Sequence, residues 1–193
     1  EIENFEEAYL IKNLFDVDGI VIRTANLTSK ILSKCRKLKI VSRHGVGYDN
    51  VDLNYIKKNN IALLVTATAN AVAVAEHVLS MFLSISKSIT NYDKEVRDGN
   101  FKSNAKKIKT FEIFNKNILI AGFGRIGKKL ISRCLAFDSK VYVYDPYVDE
   151  KIIKDNGGIK INSIVEGLEI ADYVSLHMPL TKETKDLINY SVL

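Results

Sequence analysis

Tryptophan is absent from this 193-residue chain and proline occurs only twice. So little proline, beside only ten glycines, excludes collagen-like and linker-dominated classes. The two cysteines, Cys35 and Cys134, stand far apart inside helix-like patterns, which reads as two reduced, packed thiols and not as a disulfide framework. No run of about 18 uninterrupted apolar residues is present to cross a bilayer. The most apolar stretch, residues 61–85, is broken by Asn70, Glu76 and His77. The opening EIENFEEAYL is acidic and polar, where an export leader has a basic start and an apolar middle. The expectation is a cytoplasmic protein with no membrane partner. Net charge is +5, but no dense basic run with interleaved aromatics marks a nucleic-acid surface, so no nucleic-acid partner is expected. A mild positive field also suits small anionic ligands. Cys and His residues nowhere cluster at metal-ligand spacing, and no metal site is expected.

What is present is an alternation of short β-branched runs with helical patterns. GIVIR (19–23), KIVSR (39–43) and IALLV (61–65) read as strands, separated by helical spacing over residues 28–38 and 51–59. A second series comprises NILIA (117–121), VYVY (141–144), a weak strand at 159–161 and YVSL (173–176), with helices over 127–137 and 163–170. The pattern predicts an α/β fold of two parallel-sheet units. The segment AVAVAEHVLSMFLSISKSI (71–89) separates them and is apolar on most of its circumference, as expected of a helix buried between two layers. The polar residues 91–109 read as a surface excursion.

The stretch ILIAGFGRIGKKL (118–130) places Gly122, Gly124 and Gly127 in a G-x-G-x-x-G spacing directly after a strand and before a helix. In that pattern the first glycine allows a tight turn, the second lets a pyrophosphate approach the backbone, and the third lets helix and strand pack closely. The helix N-terminus then offers N–H groups and a positive dipole to the phosphates. The second strand of this unit ends in Asp145, about 20 residues on, where a dinucleotide fold places the carboxylate that accepts from ribose hydroxyls. A carboxylate there repels a 2′-phosphate, which favours NAD over NADP.

With these residues in view the chain resembles the D-isomer-specific 2-hydroxyacid dehydrogenases. Four blocks carry the likeness: SRHGVGYDNVDL (42–53), NAVAVAEHVLSMFLSISKSI (70–89), ILIAGFGRIGKKL with YDPY (144–147), and ADYVSLHMPLTKETKDLIN (171–189). The resemblance implies a flavodoxin-like substrate domain over residues 1–70 and a Rossmann NAD-binding domain over 71–193, both partial. It sets Arg125 and Ile126 against the pyrophosphate and ribose, and His177, Met178 and Pro179 on the adenine side. It also makes residues 42–53 (SRHGVGYDNVDL) the substrate-binding loop, with Arg43 and Gly45 beside the backbone N–H groups of Val46 and Gly47, which receive the substrate carboxylate. Position makes physical sense of this, because ligands of open α/β sheets bind beyond the C-terminal strand ends. The implied partners are a small anionic 2-oxo or 2-hydroxy acid and a second copy of the chain, joined as a homodimer through the NAD-binding domain.

The likeness has gaps. Residues 66–69 read TATA where the family more often has an asparagine–threonine–proline turn. Glu76 and His77 are adjacent, so they point about 100° apart on a helix and read as structure, not as an acid–base pair. The family's catalytic arginine, glutamate and histidine fall after the point matching Leu193, and its first strand has no match before Gly19. The expectation is therefore a chain matching the middle of a longer enzyme, with no catalytic residue of its own. Within the family, 3-phosphoglycerate dehydrogenases are the nearest reading and hydroxypyruvate or glyoxylate reductases the next; a non-catalytic NAD-binding corepressor is the alternative of a different class.

Overall fold

The computed structural model describes residues 2, 4–66 and 68–192, leaving out Glu1, Glu3, Ala67 in the TATA stretch, and Leu193. It divides into two units, Glu1–Asn70 and Ala71–Leu193. The first unit carries a parallel sheet in the order β1 (Gly19–Ile22), β2 (Ile40–Arg43), β3 (Ala62–Val65). Alternation decides which residues enter its core: Ile20, Ile22 and Val41 are buried, while Val21 is 80% exposed. Leu10 and Leu14 of α1 (Glu7–Leu14), Ile31 and Leu32 of α2 (Ser29–Leu32) and Ile56 of α3 (Leu53–Lys58) complete that core.

Two expectations need correction here, and one helix is new. The helix read over 28–38 is one turn, capped by Thr28, whose side chain accepts from the Ile31 N–H; β-turn bonding and the buried Cys35 and Leu38 continue it as irregular chain. Residues ahead of β1 form α1, a short amphipathic helix that the acidic start masks. The segment 71–89 is not one helix buried all round: α4 (Ala71–Ser86) ends where Ser88 adopts φ +48, and α5 (Ile89–Arg97) starts anew. Within its unit α4 packs against α7 (Arg125–Leu135) and buries Ala75 and Phe82, but Met81 and Ile85 are exposed. The polar excursion after it is α5, then α6 (Phe101–Asn104) and a 3₁₀ turn at Ala105–Lys107.

The second unit is built on β4 (Asn117–Ala121), whose residues Ile118 to Ala121 are wholly buried. Its sheet runs β6 (Ile159–Ile161), β5 (Lys140–Tyr144), β4, β7 (Tyr173–Leu176), all parallel. Both faces of β4 are covered, so a continuous apolar run and not an alternating one marks it. Ile118 and Ile120 face the core formed with α7 and α4. Leu119 and Ala121 face the opposite core with Ile164 of α9 (Ile164–Ile170) and Ile161. A further short helix, α8 (Glu150–Asp155), is capped by Asp149, which accepts from the Lys151 N–H.

Gly167 of α9 is where this second core is tightest. A Cβ there would lie 2.3 Å from Ile161 Cδ1 and 2.9 Å from Leu119 Cδ2. Gly167→Ala gains about 1 kcal/mol in helix propensity but overpacks a closed core at about 1–3 kcal/mol. With a contact of 2.3 Å the cost falls in the upper part of that range, leaving a net of about 1–2 kcal/mol and an unfolding midpoint lowered by about 2–8 °C in a thermal melt; an unchanged or raised midpoint would show that the α9 contact yields.

Candidate functional site

Strand order fixes where a ligand can lie. The chain leaves β4 toward β5 and β6 on one side and returns to β7 on the other, so the C-terminal ends of β4 and β7 flank a topological switch point and an open crevice. At that point the Gly122 N–H donates to Tyr144 O (2.8 Å) and the His177 N–H donates to Ala121 O (2.7 Å). The loop after β4 is thereby tied to both neighbouring strand ends.

The three glycines serve separable purposes. Gly122 adopts φ +99, and a Cβ on it would lie 2.7 Å from the backbone carbonyl of His177. A Cβ on Gly127 would lie 2.4 Å from Gly122 O. Both are demanded by backbone meeting backbone. A Cβ on Gly124 meets nothing within 4 Å, so sterics of the fold do not require that glycine, and open space lies before it. Gly124 is also the N-cap of α7 and offers no side-chain acceptor, which leaves the first-turn N–H groups of Ile126 and Gly127 to an external anion. Ile126 packs its side chain on the core behind, and Arg125 is exposed.

Asp145 is held from two directions. Its Oδ2 accepts from the Phe123 N–H in the glycine loop (2.7 Å) and its Oδ1 from the Tyr147 N–H (2.9 Å). A carboxylate has about four lone-pair directions, so each oxygen retains one for a ribose hydroxyl. Lys160 Nζ on β6 steadies the same turn by donating to Val148 O (2.7 Å).

Gly122, Gly124, Asp145, His177, Met178 and Pro179 line one cavity of about 260 Å³. The sequence-predicted residues Arg125, Ile126 and Gly127 stand beside it on the first turn of α7. Thr181, Glu183, Thr184 and Leu187 also line it; they fall in the block 171–189 that resembles the family's strand and loop over the cofactor, but sequence reasoning singled out none of them individually. The available signal was the threonine pair three apart in TKET: the Thr181 N–H donates to Thr184 Oγ1 (2.7 Å), the Thr184 N–H donates to Thr181 Oγ1 (3.2 Å), and Thr184 Oγ1 donates to Pro179 O (2.6 Å). His177 Nε2 lies 2.8 Å from Ser175 Oγ, and burial pushes the imidazole below its usual range. His177 is therefore neutral at neutral pH, and this wall carries no cation from it.

In the first unit the substrate loop follows β2. The Arg43 guanidinium folds back over Gly45, its Nη1 donating to His44 O (2.7 Å), and occupies the space a Gly45 Cβ would need. Gly45 has φ +147, and the loop is tied down by the Thr66 N–H donating to Gly45 O (3.1 Å). Arg43 Nε is buried with no acceptor. Among the described residues the N–H groups of Val46 and Gly47 donate to no protein acceptor. A cavity of about 510 Å³ runs along β1 and beside Leu10 and Leu14 of α1, with Arg23, Thr24 and His44 also in its lining. Glu76 and His77 do not act together: Glu76 pairs with Arg133 (3.0 Å), and His77 is exposed.

The family model for the D-isomer specific 2-hydroxyacid dehydrogenase NAD binding domain matches residues 79–193, more than half of the chain. The chain belongs to this family. It is 34% identical over 177 residues to D-3-phosphoglycerate dehydrogenase of Bacillus subtilis, covering 91% of this chain and 33% of that enzyme. To hydroxypyruvate reductase of Thermotoga maritima it is 32% identical over 188 residues, covering 97% of this chain and 60% of the relative. The crystal structure of D-lactate dehydrogenase from Aquifex aeolicus, complexed with NAD and lactic acid, superposes with a TM-score of 0.85 at 32% identity, over 94% of this chain and 54% of that one. The chain thus spans from about a third to somewhat over half the length of these relatives.

The second unit is an NAD-binding domain, and its residues fit that group. Gly124 leaves room at the helix N-terminus, Asp145 presents acceptors, and among the described residues no lysine or arginine lines the cavity to pair with a 2′-phosphate. Gly124→Val is expected to keep the unfolding midpoint but weaken NADH binding about tenfold or more, the cost of displaced charge-assisted phosphate contacts. Gly122→Ala is expected to lose both, since its φ and its contact with His177 forbid a Cβ at about 1–3 kcal/mol. Thermal melts paired with NADH fluorescence titrations check this, and wild-type affinity in Gly124→Val would remove Gly124 from the cradle.

Proposed function

We propose that the protein in its whole form interconverts a D-2-hydroxy acid and its 2-oxo acid with NAD, with a 3-phosphoglycerate-like substrate as the first reading. The observation that carries it is the glycine loop joined to Asp145 at the switch point, in a cavity that no lysine or arginine lines among the described residues. Relatives named D-3-phosphoglycerate dehydrogenase and hydroxypyruvate reductase support the substrate class. Bound NAD supplies or accepts the hydride. Gly124 and the first turn of α7 hold its pyrophosphate, Asp145 its adenosine ribose, and Met178 and Pro179 cover the adenine side.

In the first unit, Val46 and Gly47 donate their N–H groups to the substrate carboxylate, as backbone donors after a strand commonly do for anions. Arg43, fixed by its bond to His44 O, keeps a positive charge beside them, and its buried Nε remains available as a donor. Hydroxypyruvate or glyoxylate reduction is the second substrate reading, favoured by the longer share of the hydroxypyruvate reductase that is covered. Homodimerisation is proposed through the second unit, where Met81, Ile85 and Phe111 leave apolar side chains exposed.

A panel of 3-phosphohydroxypyruvate, hydroxypyruvate, glyoxylate and pyruvate, followed by NADH absorbance in the whole protein, tests the reading. The phosphorylated acid is expected to have the highest kcat/KM; no turnover with any 2-oxo acid would contradict the proposal. Gly47→Val, whose Cβ already lies 3.1 Å from Asp49 Oδ1, is expected to raise KM for the acid about tenfold while leaving the NADH Kd unchanged, the loss of about one backbone hydrogen bond to a charge. Equal damage to both would indicate general misfolding instead.

A further inference from the structure

The cavity lined by Asp145 has a second carboxylate, Glu183, among its lining residues. Glu183 lies in the turn between Thr181 and Thr184, which closes on itself through two reciprocal bonds and is anchored again by Thr184 Oγ1 on Pro179 O. The Lys185 N–H also donates to Thr181 O (2.9 Å). Leu187, just beyond, packs into the core shared with Leu119 and Ala121. Such a turn has little freedom to swing Glu183 away from the cavity it lines.

We propose that Glu183 is a second determinant of cofactor choice, adding a negative charge to the cavity that Asp145 lines so that a 2′-phosphate meets two carboxylates. The inference rests on the reading of this cavity as the adenosine end of the NAD site. Asp145 accepts from two backbone N–H groups, and Glu183 forms no ion pair among the described residues. The Thr181 hydroxyl and Glu183's own backbone hold its carboxyl below the usual glutamate range, so it is ionised throughout the neutral region. An NAD ribose carries no charge at that end, so the Glu183 charge costs NAD little. In a partly solvated cavity one carboxylate near a phosphate dianion is enough to shift preference severalfold, most strongly at low salt.

The test is a fluorescence titration of NADH and NADPH against the wild type, Glu183→Gln, Glu183→Lys and the control Glu169→Gln, an exposed position on α9 that changes net charge equally. In 20 mM salt, Glu183→Gln is expected to bind NADPH about three- to tenfold more tightly, with NADH unchanged within about twofold. Glu183→Lys is expected to go further in the same direction, and the gain is expected to shrink in 0.5 M salt, with Glu169→Gln inert. An unchanged preference in Glu183→Gln and Glu183→Lys, or an equal loss of both cofactors, would overturn the role of Glu183 while leaving the NAD site standing. Failure of the wild type to bind NADH would instead overturn the cofactor reading and this inference with it.

Discussion

The site depends on one close approach of backbone to backbone. Where β4 ends, Gly122 passes within contact of the His177 carbonyl that ends β7, at a φ that L side chains rarely adopt. Because the two strand ends meet there without side chains between them, the first turn of α7 can start immediately and direct its N–H groups into the crevice. Gly127 repeats the condition one helical turn later by packing on Gly122 O. Asp145 then closes the loop from the β5 side through Phe123. Removing any one of these contacts moves the others, since they share the same few residues.

That economy explains why only one of the three glycines is free of structural duty. Gly122 and Gly127 are held by the fold, while Gly124 faces open space. A glycine that the fold itself does not need is a sign of a ligand, and here it sits at a helix start with no side-chain cap. The charge pattern agrees: the walls hold Asp145 and Glu183, and the nearest histidine is kept neutral by burial. Among the described residues no lysine or arginine lines the cavity, which leaves its charged side chains negative.

Much of this was legible in the sequence. The strands announced themselves because β4 and its neighbours are short apolar β-branched runs, and the glycine spacing with Asp145 located the crevice. The 28–38 helix was over-read because its apolar residues serve a one-turn helix and an irregular chain alike, with spacing that cannot tell them apart. Helix α1 was hidden by its acidic surface, and the break at Ser88 left no sequence mark beyond a polar pair. Glu183 and the threonine turn escaped because they belong to a loop, where hydrophobic period carries no information and only the Thr181–Thr184 spacing hinted at order. Family likeness supplied His177, Met178 and Pro179, which no local pattern would have singled out.

The central claim is that Asp145 holds the adenosine ribose from the end of β5. Titrating Asp145→Ala with NADH and with NADPH, alongside circular dichroism to show that the fold is retained, tests it most directly. The account predicts NADH affinity about ten- to a hundredfold weaker, the loss of a hydrogen bond to a charged acceptor, with NADPH affinity falling less or rising. Wild-type NADH affinity in a folded Asp145→Ala protein would contradict it.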